Sequence, residues 1–175
     1  VAVHLNDGTG NFTRQSVLGG RNFLAARIQA GDLNGDGQLD LISMESSSTL
    51  AYRQALPGGG FAASQTVSSA FTGLGTIRLD DVDGDDDLDV LGYEATPRKL
   101  SIFRNDGNAS FSAPTSLTFS TSTTVQAMVD ITGDSRPDLL AVETTGSRQA
   151  VYYPQNADGS FGARTVLPFG NQIFR

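Results

Sequence analysis

The chain has 175 residues, with no cysteine, one histidine, and 12 basic against 19 acidic side chains for a net charge of −7. Disulfide scaffolds and thiol chemistry are thereby excluded, and the acidic balance makes nucleic acid a poor partner. No stretch reaches the roughly twenty apolar residues of a membrane-spanning helix.

Taken in chain order, residues 1–5 read as a short strand, and Asn6-Asp7-Gly8 supplies the positive φ angles of a tight hairpin turn. A second strand then runs back toward residue 18. A strand at 26–30 leads into Asp32-Leu33-Asn34-Gly35-Asp36-Gly37-Gln38-Leu39-Asp40, and the apolar run at 39–44 is too short for a helix and reads as a buried strand. Strands at 50–53 and 64–67 follow, joined by a Gly-rich turn ending in Phe61. The same order returns twice. Strands at 76–79, 88–93 and 100–104 surround the loop Asp81-Val82-Asp83-Gly84-Asp85-Asp86-Asp87-Leu88-Asp89, with a turn from Asn105 to Phe111. Strands at 125–129, 137–142, 150–153 and 164–167 surround Asp130-Ile131-Thr132-Gly133-Asp134-Ser135-Arg136-Pro137-Asp138.

Asp32, Asp81 and Asp130 stand 49 residues apart both times. A period of that length marks a stacked or radial repeat, and four short antiparallel strands per period are the signature of a β-propeller blade. The expected fold is all-β, with three complete blades at 25–68, 74–118 and 123–167. Residues 1–18 would end a preceding blade, and 172–175 would begin another. A β-sandwich also has many short strands, but it would not repeat one loop in register.

The loops carry the chemistry. Oxygen side chains at loop positions 1, 3, 5 and 9 can converge on one hard cation, and Ca²⁺ takes six to eight oxygens at 2.3–2.6 Å. The candidate ligands are Asp32, Asn34, Asp36 and Asp40; Asp81, Asp83, Asp85 and Asp89; and Asp130, Thr132, Asp134 and Asp138. Main-chain carbonyls at position 7 (Gln38, Asp87 and Arg136) would add to each shell. Three calcium ions are expected, the second loop binding tightest for its four carboxylates and the third weakest because Thr132 is a poor ligand. An EF-hand needs a bidentate Glu at position 12, where this chain has Ser43, Gly92 and Ala141. Three bound Ca²⁺ would bring the net charge from −7 to about −1, so the acidity belongs mostly to the loops.

These aspartate loops resemble those of the FG-GAP or VCBS-type calcium-binding propeller repeat. So do the turns Phe61-Ala62-Ala63, Phe111-Ser112-Ala113-Pro114 and Phe161-Gly162-Ala163, with Phe12-Thr13 a looser copy. The resemblance implies a blade fold, calcium as the cofactor, and an extracellular or cell-surface location, as in integrin α-subunit heads, microbial lectins and many secreted bacterial proteins. The Gly-Ala-Pro segment typical of integrins is missing, with Ser43-Met44 and Gly92-Tyr93 in its place, which points to a microbial secreted protein. Common propellers have four to eight blades, and an open stack leaves bare sheet edges. The remaining blades of a longer chain, or self-association, are therefore expected to complete the ring.

No catalytic constellation is visible. His4 lies mid-strand, and there is no Gly-x-Ser-x-Gly elbow; the chain is not expected to be an enzyme. Asn11-Phe12-Thr13 and Asn108-Ala109-Ser110 match the glycosylation sequon but read as ordinary turn residues. Glu45, Glu94 and Glu143 recur every 49 residues just past the second strand. With Phe23, Phe71, Phe119 and Phe169 of the inter-blade segments they could form a ligand face, since carboxylates beside aromatic rings suit sugar recognition. Alternatively the glutamates pair with arginines such as Arg53 or Arg148, and the phenylalanines wedge between blades. The expected function is extracellular binding or adhesion to a glycan or protein ligand. A scaffold domain of a secreted carbohydrate-active enzyme, or a structural subunit of a surface layer or fibre, are the alternatives.

Overall fold

A computed structural model describes residues 2–17, 27–144 and 148–168. The candidate strand at 172–175, the first residues of the blade at 25–68, and Phe23 and Phe169 lie outside the described residues. Strands β1 (Ala2–Asn6) and β2 (Phe12–Val17) pair antiparallel as a two-stranded sheet. Three four-stranded antiparallel sheets follow, each a meander in sequence order. The first contains β3 (Ile28–Gly31), β4 (Asp40–Met44), β5 (Leu50–Arg53) and β6 (Gln65–Ser68). The second contains β7 (Leu74–Asp80), β8 (Asp89–Glu94), β9 (Lys99–Phe103) and β10 (Thr115–Thr118). The third contains β11 (Thr123–Val129), β12 (Asp138–Glu143), β13 (Gln149–Tyr153) and β14 (Thr165–Val166).

The β3–β4, β7–β8 and β11–β12 hairpins enclose the aspartate loops. Gly31 pairs with Asp40, Asp80 with Asp89, and Val129 with Asp138. At the same end of each sheet the turn between its third and fourth strands is closed by a single bridge: Ala55 to Phe61, Asn105 to Phe111, and Gln155 to Phe161.

Hydrophobic residues adjacent in sequence serve different cores because successive side chains on a strand point to opposite faces. Val90 and Phe103 of the second sheet join Ile42, Met44, Leu50 and Tyr52 of the first in one core. Leu91, Leu100 and Ile102 join Leu139, Ala141, Val151 and Tyr153 of the third in another. The second sheet is thus covered on both faces, which is why its strands read as unbroken apolar runs. Phe71 and Phe119, from the segments between sheets, fill the two seams with 5% and 3% of their surfaces exposed. Phe71 meets Phe103 at 5.9 Å between ring centroids, and Phe119 meets Tyr153 at 5.5 Å. These two rings were candidates for a sugar-binding face. The structure corrects that assignment: a sugar cannot stack on a ring sealed between sheets.

Loop position 2 also belongs to the seams. Leu33 and Val82 are buried in the first and second cores, whereas Ile131 is only half-buried. Gly31, just before the first loop, leaves room for side chains of the next sheet. A Cβ there would come within 2.6 Å of Leu88 and 2.8 Å of Leu79 in the next sheet.

Candidate metal centre

Each loop curls because positions 4 and 6 both take left-handed backbone conformations. The pairs are Gly35 and Gly37 (φ 73° and 80°), Gly84 and Asp86 (80° and 71°), and Gly133 and Ser135 (79° and 65°). This turns the amides of both positions inward onto the position-1 carboxylate. Asp32 accepts from Gly35 and Gly37 at 2.8 Å each, Asp81 from Gly84 and Asp86 at 2.7 and 3.1 Å, and Asp130 from Gly133 and Ser135 at 2.7 and 2.9 Å. Glycine at position 4 was legible in all three copies. The left-handed position 6, held by three different residues, was not.

The position-9 aspartates are the most buried acids in the chain, each 0% exposed. Their two oxygens tie the loop to the turn beyond the third strand. Asp89 accepts from Val82 N at 2.9 Å and Asn105 N at 2.8 Å; Asp138 from Ile131 N, Thr132 N and Gln155 N at 2.9–3.0 Å; Asp40 from Leu33 N at 3.3 Å and Ala55 N at 2.7 Å. The Tyr52 hydroxyl adds a further bond to Asp40 at 3.0 Å. A buried carboxylate remains tolerable when several N–H donors point at it.

The second loop differs in its side chains. One carboxylate oxygen from each of Asp81, Asp83 and Asp89 lies within 4.8 Å of the others, and among the described residues no other three acidic or histidine side chains gather so closely. Oxygens bound to one calcium at 2.3–2.6 Å lie at most about 5 Å apart, so this donor set fits the ion. Burial first, then neighbouring Asp85, pushes the Asp83 carboxyl above its ordinary range. Burial and then Asp85 likewise raise Asp87. Burial lifts Asp89 to about 6 against the pull of the Asn105 and Val82 amides. Arg104 answers part of this charge, with its Nε 3.1 Å from Asp83. Negative charge is therefore concentrated here and only partly answered.

The first and third loops carry less such stress. Asp36 is held below the ordinary carboxylate range by the Gln38 amide and then the Asn34 side chain. The amide of Ser135 is the largest influence lowering Asp130. In the third loop Arg136, expected to offer only its main-chain carbonyl, places its guanidinium on Asp134 and donates from Nε to the Gln155 carbonyl at 3.1 Å.

Neighbouring sheets are latched through these loops. Asn105 Nδ2 donates to the Leu33 carbonyl at 2.8 Å, and Gln155 Nε2 to the Val82 carbonyl, also at 2.8 Å. A side-chain amide at the end of one sheet's third strand thus reads loop position 2 of the sheet before it. Sequence reasoning missed Asn105 and Gln155. The only signal was their shared place before the Gly-rich turn, and Ala55 breaks the pattern.

The three repeated glutamates find partners inside the chain. Glu45 meets Arg53 at 2.5 Å. Glu94 accepts from the Thr72 amide and hydroxyl at 2.7 and 2.8 Å and lies 3.4 Å from Lys99. Glu143 takes a two-pronged contact from Arg164 at 2.7 and 2.6 Å, while Arg148, the other expected partner, is exposed.

The chain matches the FG-GAP-like repeat family over residues 1–43 and 81–141, and it belongs to that family. No curated protein sequence matches it. Among solved structures it is similar to a chain of the Photorhabdus luminescens Tc holotoxin pore (mutant TccC3-D651A), at 19% identity and a TM-score of 0.51. That alignment covers 85% of this chain and 8% of the toxin chain. At this identity the likeness speaks for the β-rich fold alone.

Proposed function

We propose that the chain is a calcium-stabilised part of a β-propeller, in which its three sheets are successive blades of an extracellular or cell-surface binding protein. The observation that carries the calcium reading is the convergence of Asp81, Asp83 and Asp89 on one point of a hairpin tip. Asp85 and the main-chain carbonyl of Asp87 would complete the protein's share of the shell. The ion would neutralise carboxylates that otherwise repel one another. The first loop, with Asp32, Asn34, Asp36 and Asp40, offers a similar donor set with one carboxylate fewer. Two features support the propeller reading: the 49-residue period and a sheet packed on both faces by its neighbours.

Binding or adhesion, to a glycan or a protein, fits a module without a recognisable catalytic group. Glu45, Glu94 and Glu143 remain the candidate ligand-face residues, although each spends oxygens on an intramolecular partner. The alternative, a structural subunit of a surface layer or fibre, rests on the same calcium-stabilised repeat. Titration of the purified chain with calcium in a calorimeter tests the shared premise. Heat of binding that falls in Asp83→Ala by the second loop's share is expected, and no heat from the unaltered chain would refute it.

A further inference from the structure

We infer that the third loop is closed by Arg136 in place of a metal ion. Loop position 7 is Gln38, Asp87 and Arg136 in the three copies: neutral, acidic and basic. Over nine residues the second loop carries six aspartates, whereas the third carries three aspartates and one arginine. Position 3 compounds the difference, because Thr132 brings a neutral hydroxyl where the second loop has Asp83.

Every carboxylate of the third loop is answered from within the chain. Asp130 is held by the amides of Gly133, Asp134 and Ser135. Asp138 is held by those of Ile131, Thr132 and Gln155. Asp134 receives the Arg136 amide on one oxygen at 3.0 Å and the Arg136 guanidinium on the other. An exposed ion pair alone would be weak. Here, however, the arginine arm is also fixed by its Nε bond to the Gln155 carbonyl, at the turn that Asp138 already secures. A guanidinium is permanently charged and fans its donors in a plane, so it can tie a carboxylate to a carbonyl across a turn. A divalent cation arriving at this loop would meet a fixed positive charge on the position-5 ligand and a neutral position 3.

The consequence is a division of labour. The β7–β8 hairpin depends on calcium, and the β11–β12 hairpin holds its shape without it. The contrast rests on the calcium reading of the second loop; the arginine tie does not.

Amide hydrogen exchange, read residue by residue in NMR spectra of the chain with calcium and with chelator, separates the two. Chelation is expected to speed exchange at Gly84 and Asp86 by about tenfold and to leave Gly133 and Ser135 within about twofold. In Arg136→Gln, which removes the charge of a half-buried side chain, Gly133 and Ser135 should exchange about tenfold faster in chelator while Gly84 and Asp86 keep their unaltered rates. Calcium protection at Gly133 and Ser135 of the unaltered chain, or unchanged exchange there in Arg136→Gln, would overturn the inference. If Gly84 and Asp86 ignore chelator while the Arg136→Gln effect appears, the calcium reading falls and the arginine tie stands.

Discussion

At the scale of single residues, the aspartates of one loop divide into two kinds by burial. Asp138 is wholly buried and satisfies three amides, so Asp138→Ala leaves orphaned donors in a dry site. A loss of about 3 kcal/mol is expected by denaturant unfolding, against less than about 0.5 kcal/mol for the exposed Asp158→Ala. Equal losses would mean that Asp138 is not the tie between loop and turn. Ser135 offers a test of opposite sign. Its φ of 65° suits glycine, and a left-handed non-glycine residue costs roughly 1 kcal/mol. Ser135→Gly, which keeps the amide that serves Asp130, should therefore raise stability by up to about 1 kcal/mol, less what the more flexible unfolded chain takes back.

At the scale of elements, the seams between sheets decide cooperativity. Asn105 reaches across the first seam to Leu33 and also bonds its own sheet at Leu88. Asn105→Ala removes both bonds, although the Leu33 carbonyl keeps the Ala109 amide at 2.8 Å, and should cost about 1 kcal/mol, read as a fall in the unfolding midpoint. The glutamates give the pH dependence. The Arg164 contact leads in holding Glu143 below its ordinary 4.5; Glu94 also lies below 4.5, since the Thr72 and Lys99 contacts outweigh the opposing effect of burial. An acid with a depressed folded-state value contributes stability fully above its unfolded value, and that contribution is lost as pH falls through the lower folded value. Acid unfolding should thus steepen below about pH 4.5, and Glu143→Gln should flatten that limb in a melting-temperature series from pH 3 to 7.

The strands themselves were legible, because apolar runs between Gly-rich turns and a fixed period leave few alternatives. The two-faced second sheet explains why those runs lacked alternation. The approach of Asp81, Asp83 and Asp89 agrees with the spacing of the second loop, whereas among the described residues the other two loops bring no three acids so close. What escaped were contacts between distant segments: Asn105 on Leu33 and Gln155 on Val82 between periods, and Arg164 on Glu143 within the third. A partner two strands or one sheet away leaves no trace in local spacing. Arg136 escaped for a different reason, since position 7 was valued for its carbonyl and its side chain was set aside.

At the scale of the whole molecule, calcium would act as a linked ligand of the folded state. Extracellular calcium modules bind at about 10⁻⁴–10⁻³ M. At 10 mM calcium each such site adds about 1.4–2.7 kcal/mol, and each kcal/mol moves the melting temperature of a chain this size by roughly 2–4 °C. Because Val82, inside the second loop, is buried in the core shared with the third sheet, stress in that loop should spread beyond its own hairpin.

The most direct measurement is a pair of calorimetric melting curves, one in 10 mM calcium and one in excess chelator, on the unaltered chain and on Asp83→Ala. The unaltered chain should melt roughly 5–15 °C higher with calcium. Asp83→Ala should lose the second loop's share of that gain, yet melt no lower than the unaltered chain in chelator, since removing one carboxylate relieves the repulsion. Superimposable curves for the unaltered chain with and without calcium would contradict the account.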